Sequence, residues 1–274
     1  MESGLRSLSE FVSRSWRRLA AAVCFLVFFF GGFLLSSVAI PALRLTSRDP
    51  VVVRRRVLAL ISFSHRLFMR LMAGLGIFSS FRVVGYEPWR ERPCLVVANH
   101  PSLVDIVALF SCMPRAGCIV REDLCRHPFF GGVVRAAGYL PNDGGVRLLE
   151  RARSHFRQGF SLVVFPEGSR SLPEGLRPFR RGAARIALEC GVPLVPVRIS
   201  MDPGFLRKGD PWYRVPEAPA EFLLEFLPEF VIPEEILRDE VPGRRARRLT
   251  ERLQAYMGTL TGQNTISASP LLGR

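Results

Sequence analysis

From Phe81 onward, short apolar runs alternate with longer segments whose apolar residues recur at helical spacing. The runs predict strands over 81–84, 94–98, 118–120, 162–165, 194–199 and 221–226. The longer segments predict helices over 101–112, 129–137, 145–158, 180–190 and 244–260. Alternation on this scale predicts an α/β domain with a mixed, largely parallel sheet flanked by helices. The Pro- and Gly-rich stretch 203–219 predicts a long loop.

A different pattern precedes this domain, because residues 19–43 contain no charged side chain. About 20 apolar residues suffice to cross a bilayer, so this run is long enough for a membrane segment. It exceeds the apolar core of an ordinary signal peptide, which disfavours cleavage. Arginines flank it on both sides and give little orienting bias. A single span and a re-entrant hairpin bent at Gly31-Gly32 or Pro41 therefore both remain open.

A second amphipathic segment follows, with apolar residues at helical spacing over 51–77 and five arginines among them. Such a basic helix can lie in the lipid headgroup layer, or it can pack on the domain with its arginines in water. The predicted organisation is a membrane-anchoring segment over 1–50, an interfacial helix over 51–80, the α/β domain over 81–262 and a flexible tail over 263–274.

The net charge of +14 favours an anionic partner, such as an acidic protein or an anionic lipid surface. No basic stretch interleaved with aromatic residues marks a nucleic-acid surface, so nucleic acid is disfavoured as a partner. The six cysteines form no CxxC motif and are accompanied by no histidine cluster. We therefore expect reduced, mostly buried thiols and neither a disulfide framework nor a metal site.

The most informative stretch is ANHPSLVD, residues 98–105, which directly follows a predicted buried strand. Proline is well tolerated at the first position of a helix, so the pattern places His100 at the N-cap and starts a helix at Pro101. From there His100 can fold back over the first turn and meet Asp105. A carboxylate that accepts one ring N–H leaves the other ring nitrogen free to take a proton. The alternative is an ordinary helix cap with an aspartate on the surface.

A second polar turn, FPEGSRS over 165–171, follows another apolar strand. Pro166 and Gly168 predict a tight turn from which Glu167, Ser169 and Arg170 project. Arginine and the backbone N–H groups of a glycine turn can hold a phosphate, although a plain surface turn fits the same pattern. Ligands gather at the carboxyl ends of strands in α/β sheets, so two such turns together indicate a site.

These motifs resemble those of the glycerolipid acyltransferase superfamily, which includes the lysophosphatidic acid acyltransferases. NHPSLVD (99–105) resembles the NHxxxxD block, FPEGSRS resembles FPEGTRS, and the residues 195–197 and 179–182 resemble the later VPV and FRRG segments. The resemblance implies transfer of a fatty acyl group from acyl-CoA or acyl carrier protein to a lipid hydroxyl at the cytoplasmic membrane, with the active domain facing the cytoplasm. It implies no metal and no organic cofactor.

The resemblance also implies roles for individual residues. His100 would be the general base and Asp105 would orient it. The residues that it assigns to substrate binding are Arg121, Glu167, Gly168, Ser169 and Arg170.

One departure concerns the acceptor. The related proteins usually carry a phosphate-binding arginine where this chain has Asn142 and Asp143, and an aspartate would repel a phosphate. The segments GYLPND (138–143) and KGDPWYR (208–214) resemble superfamily members linked to aryl-polyene-type lipids. The expected acceptor is 1-acylglycerol-3-phosphate or another lysophospholipid, and an aryl-polyene-type lipid is the alternative.

Three other functions fit the sequence less well. A metal-dependent hydrolase needs more ligands, because His65, His127 and His155 show no metal spacing. A cysteine nucleophile at Cys94 or Cys118 would lie within a buried strand, where a thiolate is disfavoured. A non-catalytic basic module at the membrane surface is permitted by the charge but leaves the two motifs unexplained.

Overall fold

The computed structural model describes residues 2–172 and 175–262, and its strands form one seven-stranded sheet. The strands are β1 (Phe78–Val84), β2 (Leu95–Ala98), β3 (Ala116–Val120), β4 (Leu140–Pro141), β5 (Ser161–Val164), β6 (Leu194–Asp202) and β7 (Ala220–Phe226). The helices are α1 (Glu2–Leu34), α2 (Ile40–Arg44), α3 (Pro50–Gly74), α4 (Asp105–Cys112), α5 (Gly131–Ala136), α6 (Gly145–Arg157), α7 (Gly182–Cys190), α8 (Glu234–Leu237) and α9 (Pro242–Thr261).

The strand order across the sheet is β1-β7-β6-β2-β5-β3-β4. Only the β6–β7 pair is antiparallel, while the other neighbours run parallel. Strands β6, β2, β5, β3 and β4 therefore all point the same way, and their carboxyl ends meet at one edge of the sheet. We call this edge the carboxyl edge. The prediction of a mixed, largely parallel sheet is confirmed.

Strand β2 shows why the sheet is covered on both faces. Its residues are all buried, and successive side chains of a strand point to opposite faces. Val96 and Ala98 join the apolar cluster that includes α1, α3 and α4, whereas Leu95 and Val97 join the cluster formed with α6, α7 and α9. A continuous apolar run of this kind is typical of a parallel strand between two helical layers.

The N-terminal helices do not bend at the positions that the sequence predicts for a re-entrant hairpin. Helix α1 continues through Gly31-Gly32 without a break, and a π-helical turn (Leu35–Ala39) joins it to α2, whose first turn contains Pro41. The chain reverses only at residues 45–49, where the side chain of Asp49 caps α3 by accepting the N–H of Val51 at 2.8 Å. The predicted bend positions are therefore wrong, because glycine pairs and an early proline are compatible with helical geometry.

The other differences lie mostly at element boundaries. Strand β4 and helix α8 are too short to give a clear periodic pattern and were not predicted. Helix α4 begins at Asp105 and not at Pro101, because residues 101–104 form turns. The stretch 203–219 is a loop, as predicted. The tail predicted over 263–274 lies outside the described residues.

Candidate active site

His100 and Asp105 meet at the carboxyl end of β2. The Nδ1 atom of His100 lies 2.8 Å from Oδ2 of Asp105, and the same oxygen accepts the backbone N–H of Ser102 at 2.8 Å. His100 is thus not the helix N-cap that the sequence predicts. The carboxylate of Asp105 instead closes the turn that precedes α4, and the imidazole reaches it directly because both residues flank this turn.

Burial determines the electrostatics of this pair. Asp105 is fully buried, and desolvation raises the pKa of its carboxyl to about 6, although the hydrogen bond and the charge of His100 oppose this shift. Above that pH the carboxylate can only accept, so Nδ1 of His100 must carry the proton. Nε2 is then the basic nitrogen. The ring of Phe165 stacks on the imidazole with centroids 4.2 Å apart and fixes its plane.

Glu167 ties the two polar turns together beneath the site. One of its oxygens accepts the backbone N–H of His100 at 3.2 Å and the hydroxyl of Ser171 at 2.6 Å. Its other oxygen accepts the N–H of Arg177 at 2.8 Å. Only 4% of Glu167 is exposed, and both of its carboxylate oxygens accept hydrogen bonds from other residues of the chain. The structure therefore places Glu167 behind His100, where it holds the histidine backbone.

Arg170 reaches across to the loop that follows β6. Its Nη1 atom donates to the carbonyl of Leu206 at 2.8 Å and to the carbonyl of Arg207 at 3.0 Å. In the same loop, the carbonyl of Phe205 accepts the hydroxyl of Ser102 at 2.7 Å. Leu206 has a φ of 53°, which is unusual for a side chain other than glycine. Residues 205–207 are thus clamped between the two motifs.

The remaining predicted site residues lie along the same edge. Gly168 adopts a φ of 67° in an exposed turn, and Ser169 beside it is half-buried. Arg121 follows β3, two strands away from β2, or about 10 Å at the usual strand spacing. Its exposed guanidinium binds the carboxylate of Asp123 at 2.7 Å. The structure therefore places Arg121 on the carboxyl edge but not in contact with His100.

The segment that departs from the family pattern also ends at this edge. Asn142 is held by a backbone hydrogen bond of 2.8 Å to the carbonyl of Val120. The carboxylate of Asp143 lies 3.0 Å from a guanidinium nitrogen of Arg151, and its side chain is only 19% exposed. The ion pair offsets the charge of Asp143, so the repulsion expected from the sequence is weakened.

An apolar cavity lies next to the turn between His100 and Asp105. It is lined by Ala21, Cys24, Phe25, Phe28, Phe68, Met72, Ile77, Leu103, Val104, Val107, Phe205 and Leu206. Leu103 and Val104 belong to the turn between His100 and Asp105, and α1 and α3 supply the opposite wall. The cavity thus borders the turn that joins His100 to Asp105 and is lined almost entirely by apolar side chains.

The alternative chemistries receive no support from the described residues. Within residues 2–172 and 175–262, no group of three His, Cys, Asp or Glu side chains is placed to hold a metal ion. Cys94 and Cys118 are buried, and burial raises the pKa of the Cys94 thiol to about 11 and that of Cys118 further still. Neither thiol would ionise readily as a nucleophile.

Sequence reasoning overlooked three residues that shape the site. The side-chain amide of Asn99 exchanges two hydrogen bonds with the backbone of Ile199, at 2.7 and 2.9 Å, and so extends the pairing of β2 with β6. Ser171 donates its backbone N–H to the carbonyl of His100 at 2.7 Å, and Phe165 stacks on the imidazole. All three residues lie inside the two motifs, and this is the sequence signal that could have identified them.

Comparison with known proteins supports the resemblance drawn from the motifs. Residues 80–200 match the protein family described as Acyltransferase. This segment contains the His100–Asp105 turn, the Glu167–Arg170 turn and Arg121. The resemblance to the glycerolipid acyltransferase superfamily is confirmed.

Similar proteins include 1-acyl-sn-glycerol-3-phosphate acyltransferases. The chloroplastic enzyme of Brassica napus is 31% identical over 144 residues, which cover 49% of this chain and 42% of that protein. The Saccharomyces cerevisiae enzyme is 34% identical over 145 residues, which cover 48% of this chain and 45% of that protein. The matches thus span about half of this chain and less than half of these relatives.

A solved structure matches the fold over nearly the whole chain. The crystal structure of the 1-acyl-sn-glycerophosphate acyltransferase PlsC from Thermotoga maritima superposes with a TM-score of 0.64 at 23% identity. The match covers 93% of this chain and 99% of that one. It therefore includes the N-terminal helices as well as the sheet.

Proposed function

Residues 80–200 belong to the acyltransferase family, and on that premise we propose that this protein transfers a fatty acyl group from a thioester donor to a lipid hydroxyl. The observation that carries the proposal is the hydrogen bond between His100 and the buried Asp105, formed across a turn whose residues Leu103 and Val104 line an apolar cavity. The relatives are named for 1-acylglycerol-3-phosphate, so this lysophospholipid is the first acceptor to test.

The chemistry follows from the free Nε2 of His100. This nitrogen takes the proton of the acceptor hydroxyl while the oxygen attacks the thioester carbonyl. The tetrahedral intermediate collapses, the carbon–sulfur bond breaks, and the new ester forms. The imidazolium returns its proton to the leaving thiolate of coenzyme A or of the carrier protein. Asp105 stabilises the imidazolium between these steps and needs no change of its own charge.

The apolar cavity accommodates the acyl chain of the donor or the acceptor. Side chains of α1 and α3 form an apolar wall that shields the acyl chain from water. Each methylene buried there contributes about 0.8 kcal/mol to the binding free energy. Since Leu103 and Val104 line the cavity and flank the catalytic turn, the carboxyl carbon of a bound chain would lie next to His100.

The polar residues divide into two roles. Glu167 and Ser171 position His100, because their hydrogen bonds go to its backbone. Ser169, Arg170 and Arg121, with the backbone of Gly168, border the region where the head group of an acceptor would lie. Guanidinium groups bind phosphate well, and the pairing of Asp143 with Arg151 leaves this edge basic. A lysophospholipid acceptor is therefore compatible with the site.

The N-terminal helices support membrane association, because two of them are long and apolar enough to cross a bilayer. The continuous helical segment formed by α1 and the π-helical turn nevertheless contacts the catalytic domain from Arg14, which binds Glu217 at 2.7 Å, to Ser36, which donates to the carbonyl of Phe129 at 2.9 Å. These positions are about 33 Å apart along the helix, more than the hydrocarbon thickness of a bilayer. A spanning helix would draw loops of the domain into the lipid core, where irregular backbone is not tolerated.

The helices therefore lie along the membrane surface, with their outward faces in one leaflet. A thioester donor in solution reaches the site from the cytoplasm, so the active domain faces the cytoplasm at the cytoplasmic membrane. Either coenzyme A or an acidic carrier protein fits the net charge of +14.

The decisive experiment is acyl transfer by the purified protein with labelled acyl-CoA and 1-acylglycerol-3-phosphate in mixed micelles. We expect turnover by the unmodified protein and a loss of about 10²- to 10⁴-fold for His100→Ala. Glu91→Gln, which alters an exposed residue paired with Arg115, serves as the control that should keep full activity. Equal turnover by His100→Ala and the unmodified protein would exclude His100 as the base.

A panel of acceptors then tests the substrate class. Lysophospholipids, glycerol 3-phosphate and long-chain alcohols without phosphate would be compared at equal surface concentration. Turnover restricted to acceptors without phosphate would favour the aryl-polyene-type alternative with the same mechanism. Binding to vesicles without turnover on any acceptor would instead favour the non-catalytic membrane-surface module.

A further inference from the structure

A cleft of about 200 Å³ lies between helices α6 and α7 and the first turn of α9. Its lining consists of Leu149, Arg185, Leu188, Glu189, Pro242, Gly243, Arg245 and Ala246. These three helices pack on one face of the sheet, whereas α1 and α3 pack on the other. The cleft therefore opens on the side of the domain that faces away from the N-terminal helices.

The cleft continues toward the carboxyl edge of the sheet. Val146 lies in the first turn of α6, is 70% exposed and shares a helical face with Leu149. The segment that leads into α7 is fixed to the second motif, because the backbone N–H of Arg180 donates to the carbonyl of Pro166 at 2.8 Å. Both helices begin at the carboxyl edge, since α6 follows β4 and α7 follows the turn after β5. We call the cleft and its extension to this edge the α6–α7 groove.

The rim of the groove is basic. Helices α6, α7 and α9 contain four, one and five arginines, with one glutamate in each helix. Arg147, Arg181 and Arg185 are exposed, and within the part of the chain that the structure describes none of them forms an ion pair. Glu189, the acidic residue of the lining, is paired with Arg153 at 2.7 Å. Positive charge without a partner therefore surrounds a floor formed by apolar side chains.

The far end of the groove also favours a carboxylate. Arg245 lines it, and the buried Nε atom of this arginine has no hydrogen-bond partner among the described residues. Pro242 and Gly243 form the first positions of α9, where the backbone of a long helix carries partial positive charge. An acidic side chain placed here would meet both the guanidinium and the helix end.

We propose that the α6–α7 groove is the docking surface for an acidic acyl carrier protein, which delivers the thioester for the proposed acyl transfer on which this step rests. An amphipathic acidic helix of the carrier would place its apolar side chains against Leu149 and Leu188. Its carboxylates would meet Arg185 and Arg245. Complementary charge of this kind accelerates encounter and fixes the orientation of the partner.

The position of the groove suits this delivery. A carrier protein holds its acyl group on a flexible phosphopantetheine arm, and the groove leads to the carboxyl edge where His100 lies. The arm can therefore carry the thioester past Val146 and Arg181 while the carrier itself stays on the aqueous side. Coenzyme A has the same arm without a protein, so it needs no contact with the groove. Changes in the groove should thus distinguish the two donors.

Kinetics with two donors of equal chain length test the groove. Palmitoyl-loaded bacterial acyl carrier protein and palmitoyl-CoA would be compared with the same lysophospholipid acceptor. Arg185→Glu reverses an exposed charge, so we expect kcat/KM to fall roughly tenfold or more for the carrier protein and to stay unchanged for palmitoyl-CoA. Val146→Glu should act in the same direction. Arg82→Glu, which reverses an exposed charge on β1 at the opposite end of the sheet, should alter neither donor.

A binding measurement gives a readout that needs no turnover. Fluorescence anisotropy of the labelled carrier protein would be followed with the full chain carrying His100→Ala. We expect binding that weakens at higher ionic strength and weakens again when Arg185→Glu is added. A carrier protein in which a glutamate of the acidic helix is replaced by lysine should recover binding to the Arg185→Glu variant, because the two charges are then exchanged across the interface.

Three outcomes would overturn the proposal. One is an equal loss with both donors in Arg185→Glu, and another is turnover of palmitoyl-CoA by a protein that does not bind the carrier. The third is a dimer, seen by light scattering, that Arg185→Glu dissociates while carrier binding is unchanged, which would assign the groove to a second copy of the chain. Carrier binding without turnover of either donor would contradict the proposed reaction and leave the docking surface supported, so the two failures are distinguishable.

Discussion

The carboxylate of Glu167 accepts the backbone N–H of His100 at 3.2 Å, although the two residues are 67 positions apart in the chain. The bond joins the ends of the neighbouring parallel strands β2 and β5. Because Glu167 is buried and its second oxygen holds the N–H of Arg177, it fixes the histidine backbone from behind. The position of His100 thus depends on both motifs.

Glu167→Gln should therefore lower turnover without weakening acceptor binding. The glutamine NH₂ group would face either the backbone N–H of Arg177 or the backbone N–H of His100. One of these buried N–H donors would then lose its acceptor. We expect a destabilisation of about 1–3 kcal/mol and a fall in kcat on the order of tenfold to a hundredfold. Glu91→Gln is the matched control. A rise in the acceptor KM at unchanged kcat would show instead that Glu167 contacts the acceptor.

The buried carboxyl of Asp105 should make stability fall as pH rises from about 4 to about 7. Its pKa is raised from 3.8 to about 6 in the folded state, chiefly by desolvation. Below about pH 3 the group is mostly protonated in both states. Between these pKa values the folded protein retains a proton that the unfolded chain has released, so the contribution to stability is lost as pH passes through 6.

Denaturant unfolding of the unmodified protein and Asp105→Asn measures this effect. The difference in unfolding free energy should decline by roughly 3 kcal/mol across this window and level off above it. In a His100→Gln background the decline should become larger and extend to higher pH, because the hydrogen bond from His100 lowers the pKa of Asp105. A difference that increased with pH would mean that the ion pair outweighs desolvation.

Narrowing the apolar cavity should shorten the acyl chains that the protein uses. Val107 is 4% exposed and lines the cavity on α4, so Val107→Phe would occupy part of its volume. We expect kcat/KM to fall for long donors more than for short ones, with about 1–3 kcal/mol of overpacking strain. Val84→Phe makes the same change on the exposed side of β1 and should leave the profile unaltered. An unchanged profile in Val107→Phe would place the acyl chain elsewhere.

Removing Arg54 should detach α3 from the catalytic domain. Its guanidinium donates to the carbonyls of Ala137 and Gly138, each at 2.9 Å, and lies 4.4 Å from the ring centroid of Phe160. Arg54→Met leaves these carbonyls without their donor, so we expect a loss of about 2–4 kcal/mol and faster proteolysis near residues 45–49. Arg55→Met, on the exposed side of the helix, is the control. Equal stability of the two variants would show that α3 is held by its apolar contacts alone.

The sequence determined those features that depend on local geometry. Apolar runs of strand length predicted the central strands, helical spacing predicted α6, α7 and α9, and the polar residues after β2 and β5 identified His100, Asp105 and the Glu167 turn. These predictions were possible because side-chain periodicity reports which faces of an element are buried. The order of motifs within one chain was also specific enough to indicate the family.

The tertiary structure decided how these parts meet. Periodicity carries no information about contacts between distant residues, so it could not show that Glu167 supports His100, that Arg170 clamps the loop at Leu206, or that Arg151 offsets Asp143. The sequence pattern also placed the start of α4 too early. The carboxylate of Asp105 stabilises a turn over residues 101–104, although the local sequence favours a helix there. The length of α1 allowed a membrane span, and the contacts made from Arg14 in α1 to Ser36 in the π-helical turn are the reason for which we propose a helix lying along the membrane surface.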